Sequence, residues 1–255
     1  MSDHSHAVQA QFDPQAHAYL TSAVHSAGPD LARAVTLVSG AFPHETGKVL
    51  DLGCGAGHLS YALAPHVSKT TAVDPSPQML ATVATTAAER GLTIDTVQAS
   101  AGALPFAGGS FCVATSRYSA HHWLGIEAAM ADMRRVVKTG GYLLMIDVVG
   151  EEDDLVDTHL QTMELLRDRS HVRNLKASRW RQLIAQAGFD LLVEEIFPLP
   201  LEFTSWVGRM RTPPQKVEMI RTIEAEAPQE VRDALVIQPD GSFTLHTGLF
   251  WAKAV

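Results

Sequence analysis

The sequence is short of the features that mark most specialised protein classes. It holds two cysteines, Cys54 and Cys112, in 255 residues, too few for a disulfide framework and in keeping with a reducing compartment. No run approaches the roughly 20 apolar residues that a membrane helix needs. The best stretch, Tyr142 to Val149, is interrupted by Asp147 and has the length of a strand. Met1 to Gln11 lack the basic-then-apolar profile of a signal peptide. Basic residues are scarce: 20 Lys and Arg stand against 28 Asp and Glu, a net charge of −8 with His neutral. A field of that sign repels nucleic-acid backbones. Despite 12 histidines there is no HExxH or paired Cys/His spacing to hold a metal, only an exposed His4-x-His6. Internal repeats and low-complexity tracts are also missing. These absences predict a cytoplasmic protein with no metal, no membrane and no nucleic-acid partner.

What is present is enough apolar sequence for a full core: 46% hydrophobic against 19% charged residues. From Lys48 to Val149 short β-branched runs alternate with helical stretches. Strands are expected at Lys48–Leu52, Lys69–Val73, Thr93–Val97, Phe111–Thr115 and Tyr142–Val149. Between the second and third, Ser76 is placed to cap a helix with Pro77 at its first position and Gly91 as its stop. A further helix carries Ile126, Met130 and Met133 and ends at Lys138 and the Gly140–Gly141 pair. Beyond it, Ser178 is expected to cap a helix through Ala187, followed by strands at Phe189–Phe197 and Ser242–Val255. Alternation of this kind means βαβ crossovers and a mostly parallel sheet with helices on both faces. One domain over residues 1–255 is expected. Within it, 1–45 would form an N-terminal helical lid and 46–150 the cofactor-binding core. Residues 151–197 and 242–255 would complete the sheet, and 198–241 would be an inserted helical lid or substrate segment.

The most informative stretch is VLDLGCGAGHLS, Val49 to Ser60. A strand runs into Gly53-Cys54-Gly55-Ala56-Gly57 and then a helix, where glycines permit a tight turn and let a ligand lie against bare amides. About twenty residues on, Asp74 ends the next strand, placed to accept hydrogen bonds from ribose hydroxyls. The dinucleotide fingerprint would need glycine at position 58, where this chain has His58. Asp51 also sets a negative charge where a pyrophosphate would lie. That carboxylate disfavours a nicotinamide dinucleotide and suits a ligand with an ammonium and a sulfonium, S-adenosyl-L-methionine.

VLDLGCGAGHLS, TAVDPSPQML, ALPF (Ala103–Phe106), SRYSAHHW and KTGG (Lys138–Gly141) together resemble a class I S-adenosylmethionine-dependent methyltransferase of the UbiE-like branch. The similarity covers about residues 45–150 well. The resemblance implies a Rossmann-like α/β fold, a seven-stranded sheet with the last strand antiparallel and the cofactor across the strand tips. It also implies S-adenosyl-L-homocysteine as product. By the same resemblance, Gly53, Cys54 and Gly55 would border the methionine part, Asp51 its amino group, Asp74 both ribose hydroxyls, and Pro75 and Met79 the adenine. Ser100 stands where the family has an aspartate for the adenine amine, which leaves the Ala101 backbone as the firmer contact. The backbone at Ser116 and Arg117 would meet the methionine moiety. Thr139 replaces a family proline, a change expected to be silent.

The acceptor side is less legible. Arg117 and His121 follow the fourth strand, so they face the transferable methyl; Arg117 would hold substrate charge, and His121 would act as a base or shape the pocket. His122 and Trp123 read as structural. Tyr19 would lie over the cofactor or in the core. Trp206, Arg209 and Arg211, and separately His171, Arg173 and Asn174, could clamp an anionic substrate or form solvated faces. The expected function is methyl transfer to a small-molecule acceptor by in-line displacement. The alternative is a protein that binds S-adenosylmethionine or S-adenosylhomocysteine as a sensor or scaffold without turnover.

Overall fold

The sheet grows from the alternation just described, and the computed structural model describes residues 28–42 and 46–255 together with His4, Val8 and Gln11. The strands are β1 Lys48–Leu52, β2 Lys69–Asp74, β3 Ile94–Gln98, β4 Phe111–Arg117, β5 Val137–Val149, β6 Phe189–Leu201 and β7 Phe243–Ala254. The helices of the described residues are α1 Pro29–Ala41, α2 His58–Leu63, α3 Pro77–Glu89, α4 Ile126–Val136, α5 Asp154–Arg167, α6 Ala177–Gln186, α7 Phe203–Arg209, α8 Pro214–Glu226 and α9 Gln229–Ala234. The seven strands form one sheet in the order β3-β2-β1-β4-β5-β7-β6. β1 to β5 pair in parallel, and β7 runs antiparallel between β5 and β6. This is the Rossmann-like architecture expected from the sequence, with the antiparallel strand inserted last.

Side-chain alternation divides the core. Leu50, Leu52, Leu143, Met145 and Phe250 point to the face covered by Met130 and Met133 of α4 and Trp180 and Leu183 of α6. Val49, Val113, Leu144, Ile146 and Trp251 point to the face covered by Ala34 and Val38 of α1 and Leu59 and Leu63 of α2. Every central strand is therefore apolar on both sides, as parallel sheets require. A separate apolar cluster joins α5 to α7, α8 and α9 through Val156, Leu160, Met163, Trp206, Ile220 and Val231, against Leu201 and Leu245. Val148 packs there too, at the carboxyl end of β5, so this helical unit stands over the strand ends that carry the site.

Four local expectations need correction. Ser178 does not cap α6, because Lys176 holds that position and both the Ser178 amide and hydroxyl bond Glu152. Gly140 and Gly141 do not close a helix before a turn. β5 begins directly at Val137, and the two glycines sit in an irregularity where its pairing with β4 shifts between Phe111 and Val113. A Cβ on Gly141 would lie 2.7 Å from the Cys112 carbonyl, so the close approach of the two strands requires glycine there. β6 continues through Pro198 and Pro200 to Leu201, which an edge strand tolerates because its outer side needs no donors. Finally, α5 lies in a stretch where no helix was expected. Its apolar positions, Val156, Leu160 and Met163, are helically spaced behind an Asp153 cap that accepts from the Leu155 and Val156 amides.

Two substitutions test this packing by urea unfolding. Phe250, fully buried, should cost about 3–5 kcal/mol as Phe250→Ala. Ser76→Ala removes the cap on the Met79 amide and should cost about 1 kcal/mol. A Phe250→Ala loss below about 1 kcal/mol would contradict its place in the core.

Candidate active site

The turns leaving β1, β2 and β4 wall a cavity of about 330 Å³, within the range of small-ligand sites. It opens beyond the carboxyl ends of the parallel strands, the position that topology reserves for ligands. Asp51, one residue before the end of β1, is 1% exposed. Its Oδ2 accepts the Ser60 hydroxyl at 2.6 Å and Oδ1 the Thr115 hydroxyl at 3.5 Å. Burial outweighs the Ser60 hydrogen bonds and raises its pKa to about 6. Asp74, at the end of β2, is fixed on both oxygens: the Gly55 amide donates to Oδ2 at 3.0 Å and the Ser76 amide to Oδ1 at 2.9 Å.

The glycine loop works differently from its sequence reading. The Gly53 and Cys54 amides both donate to the Val73 carbonyl, at 2.8 and 3.1 Å, and the Gly57 amide to the Cys54 carbonyl at 2.9 Å. Together with Gly55 on Asp74, four of the expected bare amides are engaged within the protein. The demand for glycine is steric. Gly53 has φ +67° and a Cβ there would lie 1.9 Å from the Ser119 hydroxyl. Cys54 lines the same cavity, and burial pushes its thiol pKa up, so it is no nucleophile. Pro75, Met79, Ser100 and Ala101 wall the other end.

Arg117, the last residue of β4, lines this cavity but its charge is committed. Its Nε donates to Asp30 of α1 at 2.6 Å, both side chains being about 5% exposed. Tyr118 follows at φ +53°, its ring 4.5 Å beneath the Arg117 guanidinium and its hydroxyl 2.9 Å from Thr247 Oγ1. A tyrosine in that backbone region stores strain of about 1–2 kcal/mol, here held by the buried ion pair. Ser119, His122 and Trp123 also line the first cavity. His4 and Val8 line it as well, and His4 Nε2 donates to the His122 carbonyl at 3.0 Å.

Tyr118 and His122 at the same time line a second cavity of about 80 Å³. His121 belongs to that cavity alone. Its amide and its Nδ1 bond the two oxygens of Asp147, at 3.1 and 2.6 Å. Burial alone would lower the His121 pKa, but the charge and hydrogen bond of Asp147, with Glu164 and Asp168 behind it, win and hold it above 6.5. Its neighbours go the other way. His122, 4.2 Å away by ring centroid, is lowered to about 4 by burial and then by His121. His171, at 5.9 Å, is lowered to about 2 for the same two reasons. Of the three imidazoles, His121 alone has its pKa raised.

Of the other sequence candidates, Trp206 and Arg209 line the second cavity. His171 is buried beside it without lining it, its Nε2 on Gln161 Oε1 at 2.9 Å. Ser116 is buried and lines neither cavity. Arg211 is exposed at φ +50° and lines neither, so the expected pair of arginines is reduced to Arg209. Arg173 pairs with Asp157. Tyr19 lies outside the described residues. The residues that sequence reasoning missed are Asp30, Asp147, Tyr118, Glu164 and Arg167 of α5, and Asp168 just beyond it. Asp147 left a signal, as the one charge within the apolar run Tyr142–Val149.

Comparison with known proteins agrees with this arrangement. The methyltransferase-domain family model matches residues 49–141. YafE of Escherichia coli, an uncharacterized protein, is 44% identical over 195 residues, covering 75% of this chain and 93% of YafE. YcgJ of Bacillus subtilis, an uncharacterized methyltransferase, is 31% identical over 230 residues, 90% of each chain. Its crystal structure superimposes with a TM-score of 0.82 over 88% of this chain and 98% of YcgJ. The UbiE C-methyltransferase of Sinorhizobium fredii is 32% identical over 118 residues, 44% of this chain and 46% of UbiE. A sheet of this order, a glycine turn and acidic strand end of this geometry, and a methyltransferase relative matching nine-tenths of the length lead to one conclusion: the chain belongs to the class I methyltransferase family.

Proposed function

We propose that the larger cavity binds S-adenosyl-L-methionine and that the protein transfers its methyl group to a small-molecule acceptor, leaving S-adenosyl-L-homocysteine. The observation that carries this reading is the pair of buried carboxylates on one wall. Asp74, pinned by two amides, keeps lone pairs in a fixed direction for the ribose hydroxyls. Asp51 is buried, and the hydrogen bonds from Ser60 and Thr115 leave its pKa raised, a deficit that a cationic amino group would meet. Pro75 and Met79 would flank the adenine, with Ser100 and the Ala101 backbone at its edge. The bound cofactor supplies a methyl group already activated on a sulfonium, so the protein's task is largely to align the acceptor with it.

The loop from Arg117 to Trp123 borders both cavities, so cofactor and acceptor would meet beside it. His121, oriented by Asp147 through Nδ1, presents Nε2 as a general base toward the second cavity. Asp147 acts as a positioning residue. Among the described residues no helix is long and apolar enough to cross a membrane. A cytoplasmic enzyme acting on a small molecule, with α7 of the 198–241 segment lining the second cavity through Trp206 and Arg209, is the reading supported by the sequence and by the helical unit over the strand ends.

Three measurements test this. Asp74→Ala should weaken S-adenosylhomocysteine binding by about 1–3 kcal/mol in calorimetry, and unchanged affinity would contradict the ribose assignment. Asp51 has a folded pKa raised from 3.8 to about 6, so its cost to stability is absent below the lower value and full above the higher. Asp51→Asn should therefore stabilise the ligand-free protein at pH 8, by about 1–3 kcal/mol, while weakening S-adenosylhomocysteine. Loss of stability at pH 8 would contradict a net cost of burying that carboxylate. His121→Ala should lower turnover about 10²–10⁴-fold with cofactor affinity intact. The wild-type rate should rise with pH through a midpoint above 6.5, the direction in which Asp147 moves His121, and Asp147→Asn should move that midpoint down.

A further inference from the structure

The second cavity has walls that specify more than a location. Asn174 lines it and is 1% exposed. Its backbone is clamped by Gln161, whose Oε1 accepts the Asn174 amide at 3.1 Å and whose Nε2 donates to the Asn174 carbonyl at 2.8 Å. Yet among the described residues its side-chain Nδ2 is buried without a hydrogen-bond partner. A buried amide donor in a fixed position calls for an oxygen that the protein does not provide. The position is close to the base. The Val172 and Arg173 amides both bond the His121 carbonyl, at 2.8 and 3.1 Å, which ties the chain leading to Asn174 directly to His121.

The permanent charges on the wall cancel in number: Glu164 and Asp168 against Arg167 and Arg209. Arg167 pairs with Glu164 at 3.2 Å and donates to the Trp206 carbonyl at 3.0 Å. Asp168 accepts from the Ser170 amide and hydroxyl. The remaining surface includes Leu199, Leu201, Leu245 and Trp206. With equal numbers of each sign, the lining carries no net formal charge to draw a net ionic acceptor.

We propose that this cavity binds the methyl acceptor as a small uncharged molecule with an ionisable hydroxyl and a second oxygen close by, the hydroxyl facing His121 Nε2 and the second oxygen accepting from Asn174 Nδ2. The proposal rests on the methyltransferase reading above. The hydroxyl O–H bond breaks and its proton passes to His121 Nε2. The oxygen lone pair forms the bond to the methyl carbon as the carbon–sulfur bond of the sulfonium donor breaks, its electron pair staying on sulfur. The product is an O-methyl ether, and His121 later releases the proton to solvent. An amine acceptor brings a free lone pair and has less use for a base held ready by a carboxylate; a hydroxyl needs one.

Catechol and phenol serve as probes, since they differ in the second oxygen. With the full-length protein saturated by S-adenosylhomocysteine, catechol should bind at least tenfold more tightly than phenol and shift the His121 ring resonances in NMR. Asn174→Leu, and Asn174→Asp should the first fold poorly, should reduce that preference to within twofold. Both variants should keep wild-type S-adenosylhomocysteine affinity, and Asn174→Leu a melting temperature close to wild type, because the Nδ2 donor it removes has no partner among the described residues. With S-adenosylmethionine, mass spectrometry and NMR should find the methyl on catechol oxygen. Equal binding of the two probes, shifts that leave His121 untouched, a ring-methylated product, or joint loss of cofactor affinity and stability in the Asn174 variants would each overturn the proposal. Failure of S-adenosylhomocysteine to bind the wild type would instead bring down the cofactor reading on which the proposal stands.

Discussion

A carboxylate removed from water must be answered by donors or by positive charge, and the site is organised by how unequally its carboxylates are answered. Asp74 receives two backbone amides, Gly55 and Ser76. Asp147, 1% exposed, receives the His121 amide and ring and the Val148 amide. Asp30 receives Arg117. For Asp51 the hydrogen bonds from Ser60 and Thr115 do not offset burial, and its pKa rises to about 6. The three satisfied carboxylates hold backbone and side chains in place. The fourth keeps an electrostatic demand that a cationic ligand would meet, so rigidity and binding come from the same kind of group under different degrees of compensation.

The loop after β4 shows how these constraints combine. Arg117 is anchored backward to α1 and Tyr118 takes a left-handed conformation. His121 is then anchored to β5 through Asp147. The loop consequently turns through the space between the two cavities, with Tyr118 and His122 on both walls. Burial lowers His122 and His171, and His121, itself raised by Asp147, lowers them further, because a second proton among three closely packed imidazoles would add repulsion to desolvation. Of the three rings only His121 is raised, and it lines the second cavity alone.

The cofactor half of the fold was legible because its signals are local. Lys48–Leu52 is recovered as β1 and Ser76 as the cap of α3, and the glycine turn and Asp74 arrive together because adjacent parallel strands must end together. The acceptor half depends on distant pairings that no spacing encodes. Asp30 lies 87 positions from Arg117 and Asp147 lies 26 from His121. Arg117 therefore read as a free substrate anchor when it is half of a buried ion pair. α5 escaped notice because its apolar positions are diluted by acids, and with it went Glu164, Arg167 and Asp168. Asp147 could have been found: a charge inside an otherwise apolar central strand has to be answered by something, and the histidine pair after β4 was within reach.

The central claim is the identity of the ligand between Asp51 and Asp74. It is tested most directly by calorimetric titration of the wild-type protein with S-adenosylhomocysteine beside NAD under identical conditions. The account predicts saturable binding of S-adenosylhomocysteine at micromolar concentration and none of NAD, since a buried carboxylate at Asp51 repels a pyrophosphate. Binding of NAD, or no binding of S-adenosylhomocysteine, would contradict it while leaving the fold intact.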